Sequence, residues 1–326
     1  MKLHEDQDLF VDVVRATAQK HSIRAVYIEK DYWSTYSLKN VFTSALQEKV
    51  VFKGGTSLSK VYGIIDRFSE DVDLALLPKE GRSDSRIRKL LRDMTILAGT
   101  GLTEDENTAG TEKHTKIRKV YYNYPRLAEG DIFGQVGQRL LIEANAFSRP
   151  QPNAQNAIQS YVADFLKENR EYSIIEDYGL DSFPVRVLLP EKTLAEKILS
   201  LIKASFQDQP VDSLRKKIRH IYDVHQLLQM DDIREKVSAK SFLNYLEFTL
   251  EDDLASPIGS KDWVNKPFLD AEIFGAPRKV WPQLSSIYHA EFKDMMFGPL
   301  PSEEQLLKSL ELLGAIVSEF DRNRSC

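Results

Sequence analysis

Two aspartates, Asp71 and Asp73, stand one residue apart in a segment that alternates acidic and apolar residues, DVDLALL. This alternation is typical of a half-buried strand, in which residues two positions apart project from the same face. Two neighbouring carboxylates repel each other unless a cation lies between them. Mg²⁺ prefers hard oxygen ligands and keeps coordination positions for water and phosphate. The pair therefore predicts a site for Mg²⁺ or Mn²⁺.

A pair of glycines, Gly54 and Gly55, follows a short apolar run upstream of the aspartates. Glycine lets the backbone approach a phosphate closely, and the N-terminus of a helix favours an anion. Thr56 and Ser57 add hydroxyl groups that suit the start of such a helix, and Lys60 follows one turn later. These residues are predicted to bind the phosphates of a nucleotide.

Each of these features alone has an ordinary structural explanation. An isolated acidic pair is usually surface charge, and an isolated glycine pair is usually a turn. The segment has neither the G-x-x-x-x-G-K-[ST] spacing of a P-loop nor the G-x-G-x-x-G spacing of dinucleotide-binding folds. The order of strand, glycine pair, helix and acidic strand is more informative, because it joins phosphate-binding backbone to metal-binding carboxylates. It indicates nucleotide chemistry.

The pattern of predicted helices and strands around these residues indicates an α+β fold. In the first part, sequential strands with a short connection are expected to be antiparallel, which predicts a small mixed sheet with helices. After about residue 150, helical spacing dominates. Strands are predicted at 50–55, 71–77, 115–124 and 138–147, and helices at 5–20, 28–46, 83–98, 152–170, 191–206, 212–230 and 302–320.

Composition excludes several classes of protein. The net charge of −5 over 326 residues argues against a general nucleic-acid coat. The only cysteine is Cys326, so a disulfide within the chain and a cysteine-based metal site are both excluded. Apolar runs fall short of the ~20 residues that cross a bilayer, and the N-terminus lacks the apolar core of a signal peptide. We expect a cytoplasmic protein without a membrane partner.

The stretch FKGGTSLSKVYGIIDRFSEDVDL (52–74) resembles the first motif of the AbiEii/AbiGii-type nucleotidyltransferase toxin family, a branch of the DNA polymerase β-like superfamily. The family's RFSEDxDL signature stands at 67–74. IEKDYW (28–33), LAEKI (194–198) and RHIYDVHQLL (219–228) resemble further family segments. His220 departs from the family pattern, which often has aspartate there, so no role is transferred to it.

The resemblance implies a polymerase β-like core at 1–150 and a mostly α-helical domain at 151–326 that completes the active site. It also implies two-metal transfer of a nucleotide from an NTP, with pyrophosphate as the leaving group. The superfamily usually supplies a third metal-binding carboxylate from a later strand, and Glu143 is the candidate. Lys197 and Asp223 match the family's remaining active-site positions, where a lysine can neutralise triphosphate charge. Without the resemblance, both would be ordinary helix residues.

The resemblance further implies an RNA acceptor, tRNA in particular, and a separately encoded antitoxin. Cations near aromatic rings suit RNA, because bases stack on such rings. Transfer to a protein hydroxyl and a non-catalytic module that binds nucleotide or RNA are the alternatives. Three basic clusters are candidate RNA contacts: Arg86, Arg88, Lys89 and Arg92; Lys113, Lys116, Arg118 and Lys119, followed by Tyr121, Tyr122 and Tyr124; and Arg215, Lys216, Lys217 and Arg219.

Overall fold

The computed structural model describes residues 1–69, 71–106, 110–127 and 139–324. Cys326 lies outside the described residues. The chain forms two compact units. The sheet unit comprises Met1–Gly63, Arg67–Ala146 and Asn153–Leu188, and the helical unit comprises Ile64–Asp66, Phe147–Pro152 and Leu189–Cys326.

The sheet unit contains both helices and strands. Its helices are α1 (Gln7–His21), α2 (Ala25–Phe42), α3 (Gly54–Lys60), α4 (Asp84–Ala98), α5 (Tyr161–Glu168) and α6 (Tyr172–Tyr178). Its strands are β1 (Val50–Lys53), β2 (Val72–Leu76), β3 (Thr103–Glu104), β4 (Glu112–Lys113), β5 (Ile117–Asn123), β6 (Leu140–Asn145), β7 (Asn153–Ile158) and β8 (Phe183–Leu188).

The strands form one mixed sheet in the order β3-β5-β6-β2-β1-β8-β7, with β4 also paired to β5. The pairs β2–β6 and β1–β8 are parallel, and the other pairs are antiparallel. The α+β fold class with a mixed sheet is confirmed. The predicted antiparallel arrangement of the strands at 115–124 and 138–147 is also confirmed, by the pairing of β5 with β6.

Helices α2 and α4 pack against the sheet and against each other. Leu90, Leu91 and Met94 of α4 are buried, as are Val72 and Leu74 of β2. Since successive strand residues point to opposite faces, Val72 and Leu74 mark the face that the helices cover, and Asp73 lies on the other face. The first is called the helix face and the second the row face.

Residues 153–188 are the main difference between the predicted and the observed elements. The predicted helix at 152–170 is wrong in its first half, because β7 pairs with β8 along its whole length and this pairing outweighs side-chain spacing. The helix begins only at α5, where the hydroxyl of Ser160 accepts a hydrogen bond from the backbone N–H of Ala163 at 3.1 Å. β8 is absent from the predicted elements. The sheet unit therefore extends to Leu188, beyond the predicted boundary at residue 150.

The helical unit is built around α7, which packs against α9 and α11, while α15 packs against α9. In the described part of the chain, no helix is both long and apolar enough to cross a membrane. The helices of this unit are α7 (Pro190–Ser205), α8 (Pro210–Arg215), α9 (Ile218–Gln229), α10 (Asp231–Ser238), α11 (Ser241–Ala255), α12 (Glu272–Gly275), α13 (Pro277–Val280), α14 (Ser285–Ile287) and α15 (Glu303–Arg324).

Candidate active site

A row of charged residues crosses the sheet at matched register positions. Lys53 of β1 is opposite Asp73 of β2, and Asp73 is opposite Glu143 of β6. Glu143 is opposite Lys119 of β5, and Lys119 is opposite Glu112 of β4. Neighbouring strands lie about 4.8 Å apart, so these side chains are adjacent on one face. These five residues are called the charged row.

The charged row lies on the row face of the sheet. On β5, the guanidinium of Arg118 donates to the hydroxyl of Thr95 in α4 at 2.8 Å, and the hydroxyl of Tyr122 donates to the Thr95 carbonyl at 2.9 Å. These even-numbered residues therefore point to the helix face. Lys119 lies between them in sequence and points the other way, toward Glu143.

Lys119 is the cation between the carboxylates of the row. Its Nζ lies 3.1 Å from a carboxylate oxygen of Glu143 and 3.9 Å from one of Glu112. Burial by itself would lower the pKa of Lys119, but the negative charges of Glu143, Glu112 and Asp73 outweigh burial and raise it. Lys119 is therefore protonated at neutral pH and forms an ion pair with Glu143.

Gly54 is a glycine because Asp73 occupies the space where a side chain would stand. A Cβ built on Gly54 would overlap the carboxylate of Asp73, and the backbone φ of Gly54 is +79°. L-residues with side chains rarely adopt that conformation. The glycine pair predicted from the sequence thus lies directly against one of the predicted metal-binding aspartates.

Gly55 has a different neighbour, the buried guanidinium of Arg67. A Cβ on Gly55 would lie 2.8 Å from Nη2 of Arg67 and 2.8 Å from the hydroxyl oxygen of Ser69. Arg67 is only 3% exposed. The arginine and serine of the RFSED segment therefore pack on the glycine pair, a role that motif reading did not assign to them.

The predicted capping role of Thr56 and Ser57 is wrong. Helix α3 starts at Gly54 with Lys53 as its N-cap residue, so both hydroxyl residues lie inside the helix and are buried. The hydroxyl of Thr56 donates to the backbone carbonyl of Asp71 at 2.7 Å, and that of Ser57 donates to the carbonyl of Gly54 at 2.8 Å. Thr56 thus ties α3 to the residue that immediately precedes β2.

Lys60 is held by a carboxylate of the sheet unit. Its Nζ lies 2.5 Å from Oδ1 of Asp31, and both side chains are nearly inaccessible, at 4% and 6% exposure. The other oxygen of Asp31 accepts a hydrogen bond from the backbone N–H of Tyr161 at 3.0 Å. The lysine predicted to contact phosphate is therefore engaged in a buried ion pair between α3 and α2.

Lys197 and Asp223 meet in the helical unit. Nζ of Lys197 lies 2.7 Å from Oδ2 of Asp223, and the side chains are 7% and 0% exposed. Lys197 lies on α7 and Asp223 on α9. The structure thus pairs two residues that are distant in sequence and that only the family resemblance indicates. A buried ion pair is costly to desolvate, and removal of either residue would leave the charge of the other buried without its partner.

Two of the three tyrosines beside the second basic cluster are buried and cannot stack on a base. Tyr122 is buried, and Tyr124 stacks on the ring of Trp33 in the protein interior, with 5.8 Å between ring centroids. Tyr121 lies on the row face, where the guanidinium of Arg139 stands 5.4 Å from its ring centre. The expected stacking of bases on these tyrosines is therefore wrong for Tyr122 and Tyr124.

The donor set of the charged row suits a hard divalent cation. Asp73 and Glu143 present carboxylate oxygens from adjacent strands of one face, and oxygen is the ligand that Mg²⁺ prefers. Asp71 directly precedes the strand. Among the described residues, no three His, Cys, Asp or Glu side chains converge on one point at metal-binding distance.

The sequence matches the family model described as nucleotidyl transferase AbiEii toxin, type IV toxin–antitoxin system, over residues 37–311. The chain belongs to the AbiEii nucleotidyltransferase toxin family. It is therefore a nucleotidyltransferase toxin of a type IV toxin–antitoxin family, which implies an NTP substrate and an antitoxin partner. The resemblance predicted from the RFSEDVDL segment is confirmed.

Among solved structures, the chain is similar to MenT4, a nucleotidyltransferase toxin from Mycobacterium tuberculosis H37Rv. The two share 15% sequence identity with a TM-score of 0.46, and the alignment covers 95% of this chain and 98% of MenT4. No curated protein matches this AbiEii-family chain.

Replacing Gly54 by alanine is expected to abolish most nucleotidyl transfer. The new Cβ displaces the carboxylate of Asp73, and a left-handed backbone costs an L-residue about 1–2 kcal/mol. Gly63→Ala is the matched control, because Gly63 also has a positive φ, of +60°, but nothing lies within 4 Å of its Cβ position. Both stability, by urea denaturation, and incorporation of label from an α-³²P-labelled NTP are measured. Equal activity losses in the two variants would contradict the assignment.

The Lys60→Met variant is expected to lose about 3–5 kcal/mol of unfolding free energy, because it leaves the Asp31 carboxylate buried without its cation. The double variant Asp31→Asn/Lys60→Met should regain much of that stability. Lys113→Met, which breaks a more exposed pair with Glu104, should cost no more than about 1 kcal/mol. A Lys60→Met protein of unchanged stability that no longer transfers nucleotides would instead assign Lys60 to the phosphates.

Proposed function

We propose that this AbiEii-family protein transfers a nucleoside monophosphate from an NTP to a hydroxyl of RNA, with tRNA as the acceptor class, in a Mg²⁺-dependent reaction. The observation that carries the proposal is the register of Asp73 with Glu143 on one face of the sheet, directly beside Gly54. Two carboxylates at this spacing need a cation, and the adjacent glycine leaves backbone accessible to a phosphate.

Asp71, Asp73 and Glu143 are the proposed ligands of Mg²⁺, or of Mn²⁺ in its place. When bound, the metal would neutralise charge on the attacking and leaving oxygens of an in-line displacement at phosphorus. The α-phosphorus gains a bond to the acceptor oxygen and loses its bond to pyrophosphate, which leaves, and the proton of the acceptor hydroxyl passes to solvent water.

The protein's own residues supply position and charge around this reaction. Lys119 holds the carboxylate of Glu143 in place through a contact of 3.1 Å. Thr56 fixes the backbone of Asp71 to α3, so the glycine pair and the aspartates keep one geometry. Gly54 and Gly55 are the proposed backbone contacts of the triphosphate. Thr56, Ser57 and Lys60 support that segment from within the protein.

Lys197 and Asp223 remain proposed catalytic residues on the strength of the family motifs. Their ion pair of 2.7 Å supports a joint role, in which the carboxylate orients the ammonium group. Because a lysine is a compact cation, Lys197 is suited to neutralise the charge of a triphosphate.

Incubation of the purified protein with each α-³²P-labelled NTP, Mg²⁺ and total RNA tests the proposal. We expect label on RNA of tRNA size, its disappearance on chelation of the metal, and its return when Mg²⁺ is restored. Asp73→Asn should lower incorporation by more than about 100-fold, because even residues that only orient metal ligands contribute 10–100-fold.

Asp8→Asn is the matched control, since it removes the same charge from an exposed position on α1 and should leave incorporation unchanged. Label that migrates with protein would replace the RNA proposal by protein nucleotidylylation. Label that is unaffected in Asp73→Asn would contradict the proposed metal site.

A further inference from the structure

Helix α4 carries a strongly basic outer face. Its inner face is buried through Leu90, Leu91, Met94, Thr95 and Ala98, whereas the basic side chains between and before these positions are exposed. The helical repeat places the exposed cations on one side, which projects away from the sheet. These cations are Arg86, Arg88, Lys89 and Arg92.

The turn between β4 and β5 joins this face. The guanidinium of Arg88 donates to the hydroxyl of Thr115 in that turn at 2.9 Å, which brings Lys116 next to the N-terminal half of α4. Arg86, Arg88, Lys89, Arg92 and Lys116 are called the basic surface.

The charges of the basic surface are largely unneutralised. In the described part of the chain, no carboxylate lies within ion-pair distance of Arg86, Arg92 or Lys116. Lys89 lies 3.3 Å from Asp93, in a pair that is largely solvated. Asp84 also lies in the first turn of α4.

Several other arginines on the surface of the protein are paired with carboxylates. Arg215 lies 3.1 Å from Asp212, Arg234 lies 2.6 Å from Asp231, and Arg278 lies 2.9 Å from Glu304. The basic surface differs from these paired arginines, and it lies on a chain whose net charge is −5. A local excess of cations on an acidic protein is complementary to a polyanion.

We propose that the basic surface docks the phosphate backbone of the acceptor RNA. Guanidinium groups match phosphate with two parallel hydrogen bonds, and contacts of this kind position a nucleic acid without reading its sequence. Helix α4 is about 22 Å long at 1.5 Å per residue, which suits several consecutive phosphates. This inference rests on the proposed function, because it assigns a docking surface to the RNA that the site would modify.

The basic surface is separate from the reacting centre. It belongs to α4, on the helix face of the sheet, whereas the charged row lies on the row face. It therefore holds the body of the RNA and does not touch the reacting hydroxyl. Removal of the surface charges should raise KM for a full-length RNA and leave kcat unchanged. A short oligonucleotide that cannot span both faces should react equally well with both proteins.

The double variant Arg86→Glu/Arg92→Glu tests the inference, with fluorescence anisotropy of labelled tRNA as the readout. Binding is measured in the full-length Asp73→Asn protein, so that no reaction occurs. We expect Kd to rise at least tenfold at about 100 mM salt. The slope of log K against log salt should become shallower by roughly 0.7–0.9 for each phosphate that the variant no longer neutralises. Arg86→Lys/Arg92→Lys keeps the charge and should bind within a few-fold of the parent.

Lys20→Glu/Lys167→Glu is the matched control, because it changes the net charge equally at exposed positions on α1 and α5. If both double variants weaken RNA binding equally, the weakening reflects only the net charge of the protein, and the inference is overturned. Unchanged binding in Arg86→Glu/Arg92→Glu would also overturn it. So would a parent protein that binds phosphatidylserine vesicles but no RNA, because the surface would then be a membrane contact.

The failures of the inference and of the proposed function are distinguishable. If the active parent labels RNA while Arg86→Glu/Arg92→Glu keeps its KM, the docking surface is wrong and the proposed function stands. If the parent labels no RNA but binds it through this surface, the proposed acceptor is wrong and the docking surface stands.

Discussion

Asp73 and Glu143 carry like charges at matched positions of adjacent parallel strands, about 4.8 Å apart. Their repulsion is the constraint on which the rest of the sheet unit depends. The protein meets it partly with Lys119, whose pKa is raised by the surrounding carboxylates, and with Lys53 at the next register position. A divalent cation would neutralise the negative charge that remains. It would also offset the charge of a bound triphosphate, since a metal ion changes the electrostatics of its whole site.

The surrounding structure keeps these carboxylates in place. Gly54 offers no side chain to compete with Asp73, and Thr56 bonds the backbone just before β2. At the other end of α3, the buried pair of Lys60 with Asp31 anchors this helix to α2. A buried charge without its partner is strongly destabilising, so this pair can fix the position of α3 without touching substrate.

Sequence alone predicted the parts of the site that depend on local periodicity. Alternation in DVDLALL places Asp73 on the face opposite the apolar residues. Glu143 is the candidate because the family resemblance implies a third carboxylate on a later strand. The register that makes them neighbours depends on long-range strand pairing, which no local pattern contains. The basic cluster at 113–119 therefore predicts a nucleic-acid contact for Lys119, although alternation along β5 is compatible with a place on the same face as Glu143. The first half of the helix predicted at 152–170 is wrong for the same reason, because pairing with β8 determines β7.

A crystal structure of the protein with Mn²⁺ and a non-hydrolysable NTP analogue tests the central claim most directly. Anomalous scattering locates the metal independently of any assay. We expect an anomalous peak bound by the carboxylates of Asp73 and Glu143, with the triphosphate against the backbone of Gly54 and Gly55. A fully occupied nucleotide and metal bound elsewhere, with the Lys119–Glu143 contact unchanged, would contradict it.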